Sequence, residues 1–188
     1  ECIQLWHAAG AIKTFGLKDN NIKYRSKKAI TRFKKVYSQF DKVVVGSEKM
    51  KNVFKEAFEI PDERFLYTGV PRTDFFYNEE LKSKAVKKIY DHNPNLKDKK
   101  VILYAPTFRD DELDHFQLML DIEHMFNELH QDHVLLIKLH PAIKHHLTLN
   151  RYNGFLFDYS FYEDVNELLL ITDILITDYS SIPYEFSI

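Results

Sequence analysis

Three short apolar runs in this chain each stop at a polar cluster, and that repetition limits the possible folds more than any other feature. Val134-Leu135-Leu136-Ile137 leads through Lys138-Leu139 to His140-Pro141. Val101-Ile102-Leu103-Tyr104 hands over to Ala105-Pro106-Thr107-Phe108-Arg109, and Ile174-Leu175-Ile176 to Thr177-Asp178-Tyr179-Ser180-Ser181. Continuous apolar runs of this length, mixing Val, Ile and Leu, suit strands buried on both faces, the habit of parallel sheets. A parallel sheet puts all its strand C-termini on one edge, and ligands bind in the crevice there. Three polar clusters after three buried strands therefore read as one site assembled from distant parts of the chain.

The rest of the chain alternates in the same way. Residues 2–5 resemble the end of a strand, followed by the small-residue turn Trp6-His7-Ala8-Ala9-Gly10. From Asn21 to Phe40, Ala29, Ile30, Phe33, Val36, Tyr37 and Phe40 recur at helical spacing. Lys42 to Gly46 predicts a strand, with Ser47 as N-cap of a helix whose face is Met50, Val53, Phe54, Ala57 and Phe58. Phe65 to Thr68 predicts another strand, ending at Gly69-Val70-Pro71-Arg72-Thr73-Asp74. A charged helix over 79–91 precedes a loop at Asn93-Pro94-Asn95. Thereafter the pattern predicts strand (101–105), helix (about 116–130), strand (134–139), short helix or loop (142–150), strand (154–157), helix (164–171) and strand (173–177). Asp164 and Glu167 have capping-box spacing before Leu168-Leu169-Leu170.

Alternating strands and helices imply an α/β fold with parallel sheets covered on both faces. A domain boundary is expected between Arg72 and Lys99. Residues 1–75 would then be the C-terminal portion of one Rossmann-like domain, 76–98 a linker and helix, and 99–188 the N-terminal portion of a second. The chain opens at Glu1 with an apolar run under way and stops at Ile188, inside the helix expected after the last strand. This is the pattern of part of a longer protein.

Composition excludes some classes. The net charge of -2 gives no global argument for nucleic acid. The lone cysteine, Cys2, has no internal disulfide partner, which fits a reducing compartment. No apolar run reaches the roughly 18 residues of a membrane-spanning helix. With five glycines, neither GxGxxG nor GxxxxGK[ST] occurs, which argues against a Rossmann dehydrogenase and a P-loop enzyme. No histidine spacing suits a metal.

Several residues admit a chemical role beside an ordinary one. His7 follows a strand end and precedes small residues; it is either a base for a hydroxyl or a loop histidine bonded to a carbonyl. Lys13, just beyond, is on its own a solvated lysine. Thr107 and Arg109 follow Pro106 at a strand end, where the guanidinium suits phosphate oxygens or pairs with Asp110 or Asp111. Lys138 and His140 flank Leu139 and so share a side of a strand, serving a phosphate or simply emerging into solvent. His145 and His146 read as surface residues. Ser180 and Ser181 precede Pro183 at a helix start, suited to an anion or to capping by Asp178 or Ser180. Glu185 either bonds ribose hydroxyls or complements the helix dipole. Between Asp19 and Asp41 lie Lys23, Arg25, Lys27, Lys28, Arg32, Lys34 and Lys35 with no acid. That stretch suits an anionic membrane surface, a polyanion, or a solvated helix face.

Five of these clusters, taken in order, carry a resemblance. Trp6-His7-Ala8-Ala9-Gly10 with Lys13, Gly69-Val70-Pro71-Arg72-Thr73-Asp74, Tyr104-Ala105-Pro106-Thr107-Phe108-Arg109, Lys138-Leu139-His140-Pro141, and Thr177-Asp178-Tyr179-Ser180-Ser181 with Glu185 resemble the CDP-glycerol glycerophosphotransferase family. This is the family of teichoic acid glycerol- and ribitol-phosphate primases and polymerases. Ala8 stands where the family commonly has glycine.

The resemblance implies a GT-B-like architecture, two Rossmann-like domains facing a cleft. It implies a CDP-glycerol or CDP-ribitol donor, a lipid-linked glycerophosphate acceptor and peripheral attachment to the cytoplasmic face of the bacterial membrane, to which Lys23–Lys35 would contribute. By the same resemblance His7 and His140 would be catalytic. Thr107, Arg109, Lys138, Ser180 and Ser181 would hold the donor pyrophosphate and Glu185 the cytidine ribose, with Lys13, Arg72, Asp74 and Asp178 in support. An acceptor hydroxyl activated by His7 would attack the β-phosphorus and CMP would leave. No protein-bound metal is implied, although a pyrophosphate donor is compatible with Mg²⁺. The competing readings are a GT-B glycosyltransferase or nucleotide-sugar epimerase, a non-catalytic nucleotide-binding module, and a membrane-surface scaffold.

Overall fold

Parallel pairing accounts for every strand contact among the described residues of the computed structural model, which are 1–107, 118–140, 143 and 149–188. The contacts divide the chain into two units, Glu1–Tyr77 and Asn78–Ile188.

In the first unit β1 (Ile3–Gln4), β2 (Lys42–Val44) and β3 (Phe65–Leu66) lie in the order β1-β2-β3. Ile3 pairs with Lys42 and Val43 with Phe65. Ser47 Oγ accepts from Met50 N at 3.2 Å and starts α2 (Glu48–Phe58), as its sequence position predicts. Met50, Phe54, Ala57 and Phe58 of α2 are buried against Val43, Val45 and Phe65, while Val53 stays at the margin. The fully buried Phe54 is worth about 1.5–3 kcal/mol in transfer free energy alone.

The helix expected from Asn21 to Phe40 is shorter than its periodicity. A 3-10 segment (Asn20–Tyr24) comes first, and Ser26 then interrupts in an extended conformation. Its Oγ accepts from Ala29 N at 3.2 Å and caps α1 (Lys27–Ser38). Side-chain capping here outcompetes continuation of the helix. No residue of α1 is fully buried, and Val36 is exposed. At its far end the Arg64 guanidinium donates to the carbonyls of Ser38 and Phe40, at 3.0 and 2.9 Å.

In the second unit β4 (Lys100–Tyr104), β5 (His133–Ile137), β6 (Leu156–Asp158) and β7 (Ile174–Ile176) form a sheet of order β6-β5-β4-β7. Successive strands step outward from β4 to β6, and β7 then joins the other side of β4. The order reverses between β4 and β7, so these two strands define a topological switch point. Leu103, Leu135, Leu136 and Ile137 are fully buried, which accounts for the unbroken apolar runs.

Two helices of this unit are shorter than periodicity predicts. Asp121 Oδ1 accepts from His124 N at 2.9 Å and begins α4 at Ile122–Leu129; residues 116–117 lie outside the described residues. Asp164 caps α5 (Val165–Leu169) through Asn166 N, while the Glu167 carboxylate accepts instead from Lys88 Nζ and the Tyr162 hydroxyl. Burial alone would raise the Glu167 carboxyl, yet those two hydrogen bonds carry it below its ordinary value. Burial, with Glu167 beside it, pushes the Tyr162 hydroxyl up to about 12. The Lys88 bond ties α5 to α3 (Glu79–His92), whose Ala85 and Ile89 are buried. That helix is therefore part of the second unit rather than a free connector.

Gly16 fixes the path of the segment after the His7 turn. Its φ is +59°, and an added Cβ would lie 2.5 Å from the Ala57 carbonyl oxygen of α2. Gly16→Ala combines left-handed strain with a backbone clash and should lower stability by about 2–4 kcal/mol, read as a reduced midpoint in urea unfolding; an unchanged midpoint would show that the contact is not needed.

Candidate functional site

Because β4, β5 and β7 run parallel, their C-terminal ends share one edge of the second sheet. At the switch point the two exit loops are sewn together. Ala105 N donates to Ile176 O at 2.9 Å, and Thr177 Oγ1 donates to Ala105 O at 2.6 Å. Thr107 N and Oγ1 both donate to Asp178 Oδ1, at 2.8 and 2.6 Å. Charge-assisted bonds of this kind are the stronger class. Two stretches expected to meet across 71 residues of chain do meet.

This arrangement changes the role open to Thr107. Its amide and hydroxyl protons are both committed to Asp178, so in this geometry it holds the exit loop rather than offering a donor to phosphate. Arg109 lies outside the described residues, as do His145 and His146.

Past Asp178 the chain turns into α6 (Ile182–Phe186), with Pro183 in its first turn. Ser180 Oγ accepts from Ile182 N at 3.2 Å. Ser181 is the capping residue and makes no side-chain cap bond. Capping at this helix start is thus not what the Ser181 hydroxyl does, and Asp178 is occupied elsewhere. Glu185 is 3% exposed.

β5 stops at Ile137, but burial still alternates past its end: Lys138 is half-buried, Leu139 buried and His140 exposed. Lys138 N still donates to Tyr104 O at 2.9 Å. Its half-buried Nζ donates to Ser160 O at 2.8 Å. Burial holds the Lys138 ammonium below the ordinary lysine value, and the Asp158 carboxylate opposes that. Ser160, 1% exposed, also accepts from Leu139 N at 3.2 Å and donates its own amide to Asp158 Oδ1 at 2.8 Å. The stretch leading to His140 is thus pinned from the loop after β6, and His140 itself is exposed.

Ser160 was not among the expected site residues. The signal was present: β6 is a fourth strand with a polar exit, Asp158-Tyr159-Ser160. Reading that exit as its companions are read would have found it.

In the first unit His7 is exposed just past β1. Trp6 before it has φ 64°, an uncommon conformation for a bulky residue. Its amide donates to Gln4 Oε1 at 2.8 Å. The indole packs on Phe15 and Phe54, with ring centroids 4.8 and 5.0 Å away, and the His7 ring lies 4.6 Å from it. Backbone strain of this kind persists only where the surroundings over-determine it, and here the aromatic cluster does so. Lys13 is exposed on the following segment. Arg72 and Asp74 occupy a 3-10 turn, Pro71–Tyr77, that Thr73 closes by donating its amide and hydroxyl to Val70 O at 2.9 and 2.8 Å. Among the described residues no group of three His, Cys, Asp or Glu is arranged to hold a metal ion. No helix among them is long and apolar enough to cross a membrane.

The family model for CDP-glycerol:poly(glycerophosphate) glycerophosphotransferases matches residues 1–188. Teichoic acid glycerol-phosphate primase of Bacillus subtilis (strain 168) is 47% identical over 188 residues, covering 100% of this chain and 48% of that protein. Teichoic acid poly(ribitol-phosphate) polymerase of Bacillus spizizenii is 38% identical over 192 residues, covering 100% of this chain and 30% of that one. The solved structure of the wall teichoic acid polymerase TagF superposes with a TM-score of 0.83 at 34% identity, over 98% of this chain and 46% of that chain. A variant of that polymerase soaked with CDPG superposes with a TM-score of 0.84, over the same shares of each chain. The chain spans about half the length of the curated glycerol-phosphate primases it matches, and less of the polymerases. Its fold is α/β and GT-B-like, and it belongs to the CDP-glycerol:poly(glycerophosphate) glycerophosphotransferase family.

Proposed function

We propose that the whole protein transfers glycerol phosphate or ribitol phosphate from a CDP-alditol to a hydroxyl of a lipid-linked acceptor in teichoic acid synthesis, releasing CMP. The observation that carries the donor half is the sewn junction at the switch point, Thr107 to Asp178, with Ser180 and Ser181 following it in the chain. Open parallel sheets take nucleotide ligands in that position.

In this reading residues 1–75 serve the acceptor and 99–188 the donor. The His7 imidazole removes the proton from the acceptor hydroxyl. The oxygen attacks the β-phosphorus in line, a new P–O bond forms, and the bond between the β-phosphorus and the bridging oxygen breaks, leaving CMP with that oxygen. His140, Arg109 and the serine pair stabilise charge on the diphosphate, Glu185 holds the ribose, and Asp178 keeps the loop in place. Lys138, Lys13, Arg72 and Asp74 support this arrangement, which works by positioning and electrostatics. The basic stretch Lys23–Lys35, with α1 lacking any fully buried residue, lies against the anionic cytoplasmic face of the membrane.

The test uses the full-length protein with a lipid-linked glycerophosphate acceptor, offering CDP-glycerol, CDP-ribitol or a UDP-sugar. Acceptor-dependent CMP release from a CDP-alditol is the expected result, and turnover of the UDP-sugar alone would overturn the proposal. His7→Ala and His140→Ala should each lower turnover by about a hundredfold or more; near-normal turnover of either folded variant removes that residue from the mechanism. Asp178→Asn loses charge-assisted bonds to the Thr107 loop and should raise KM for the CDP-alditol about tenfold. An unaltered donor KM would separate Asp178 from the donor site.

A further inference from the structure

A second concavity lies in the first unit, where the segment carrying Lys13 passes over α2. Its volume is about 530 Å³. Ile12, Phe15, Val53 and Ala57 supply an apolar lining, and Lys13, Lys18 and Lys49 bring cations to it. Lys18 is 3.5 Å from Glu56, the one acid in the lining. Lys13 and Lys49 hold no ion pair among the described residues.

The pocket is joined to the candidate base through rings. Phe15 is 4.8 Å from the Trp6 indole, and that indole is 4.6 Å from the His7 ring. The lining is therefore one aromatic ring removed from the imidazole. Gly16, pressed on the Ala57 carbonyl, sets the distance between segment and helix.

Two ammonium groups with no ion pair among the described residues, over an apolar lining, match one kind of ligand. An inorganic anion would leave the Ile12 and Phe15 surface unused, and a bare hydrocarbon would gain nothing from the lysines. We propose that this pocket binds a phosphate ester carrying an apolar chain, the lipid-proximal phosphate of the acceptor, with Lys13 and Lys49 on the phosphate and Ile12, Phe15 and Val53 along the chain. The assignment rests on the acceptor-side reading of this unit.

The probe is dodecyl phosphate below its micellar concentration, titrated calorimetrically into the full-length protein. Inorganic phosphate and dodecyl maltoside are the single-feature controls. Dodecyl phosphate should bind, and Lys49→Glu should weaken it about tenfold or more, the loss expected of one charge-assisted contact. Lys55→Ala should bind normally, since Lys55 is paired with Asp62 at 2.6 Å and does not line the pocket. In steady state, Lys49→Ala should raise KM for the lipid-linked acceptor about tenfold and leave KM for the CDP-alditol within twofold. Equal binding of dodecyl phosphate by Lys49→Glu, equal binding of dodecyl maltoside, or an unchanged acceptor KM in Lys49→Ala would each overturn the assignment. Binding is read without turnover. A wild-type protein that binds dodecyl phosphate but transfers from no CDP-alditol sinks the proposed reaction and leaves this pocket standing.

Discussion

The carboxylate of Asp178 holds the second unit's working edge together. It takes both protons of Thr107 and so joins the exits of β4 and β7, strands that are neighbours in the sheet and far apart in sequence. Sheet pairing alone would bring these loops near each other but would not fix them. A carboxylate accepting an amide and a hydroxyl from the other loop does, through two charge-assisted bonds from one residue. Ser180, Ser181 and Glu185 all follow from where that junction sends the chain.

Much of this was legible in the primary structure because buried parallel strands leave a strong trace. Val101–Tyr104, Val134–Ile137 and Ile174–Ile176 are too apolar and too short to be anything but strands between polar exits. Ser47 and Asp164 announced their helices, since a capping oxygen must come from a few residue types. Ser26 and Asp121 hold the same signal, but apolar periodicity running past them masked it. The strand-end clusters located the candidate site in outline. Their hydrogen bonding was not legible, because which loop a hydroxyl addresses depends on tertiary neighbours. Thr107 reads as a phosphate donor until Asp178 is placed beside it. Ser160 escaped because its carbonyl takes the Lys138 ammonium and its hydroxyl takes the Leu139 amide, partners that only the folded chain brings to it.

The two units hold their candidate histidines by different physics. His140 follows a stretch fixed by hydrogen bonds, in which Lys138 gives up part of its solvation to reach a carbonyl. His7 follows a stretch fixed by packing, in which a strained tryptophan sinks into an aromatic cluster. Hydrogen bonds set direction closely and fail abruptly when one partner goes. Aromatic packing tolerates changes of shape and loses energy gradually.

Gly16 gives that freedom a boundary. Because the turn touches the helix backbone itself, no neighbouring rotamer can yield to a side chain there. Ile12, Lys13, Thr14 and Lys49, by contrast, are exposed and meet no such constraint. Evolution can therefore rewrite the chemistry of the lysine-bearing loop in this lineage while its trajectory stays the same, as interchangeable bits fit one chuck.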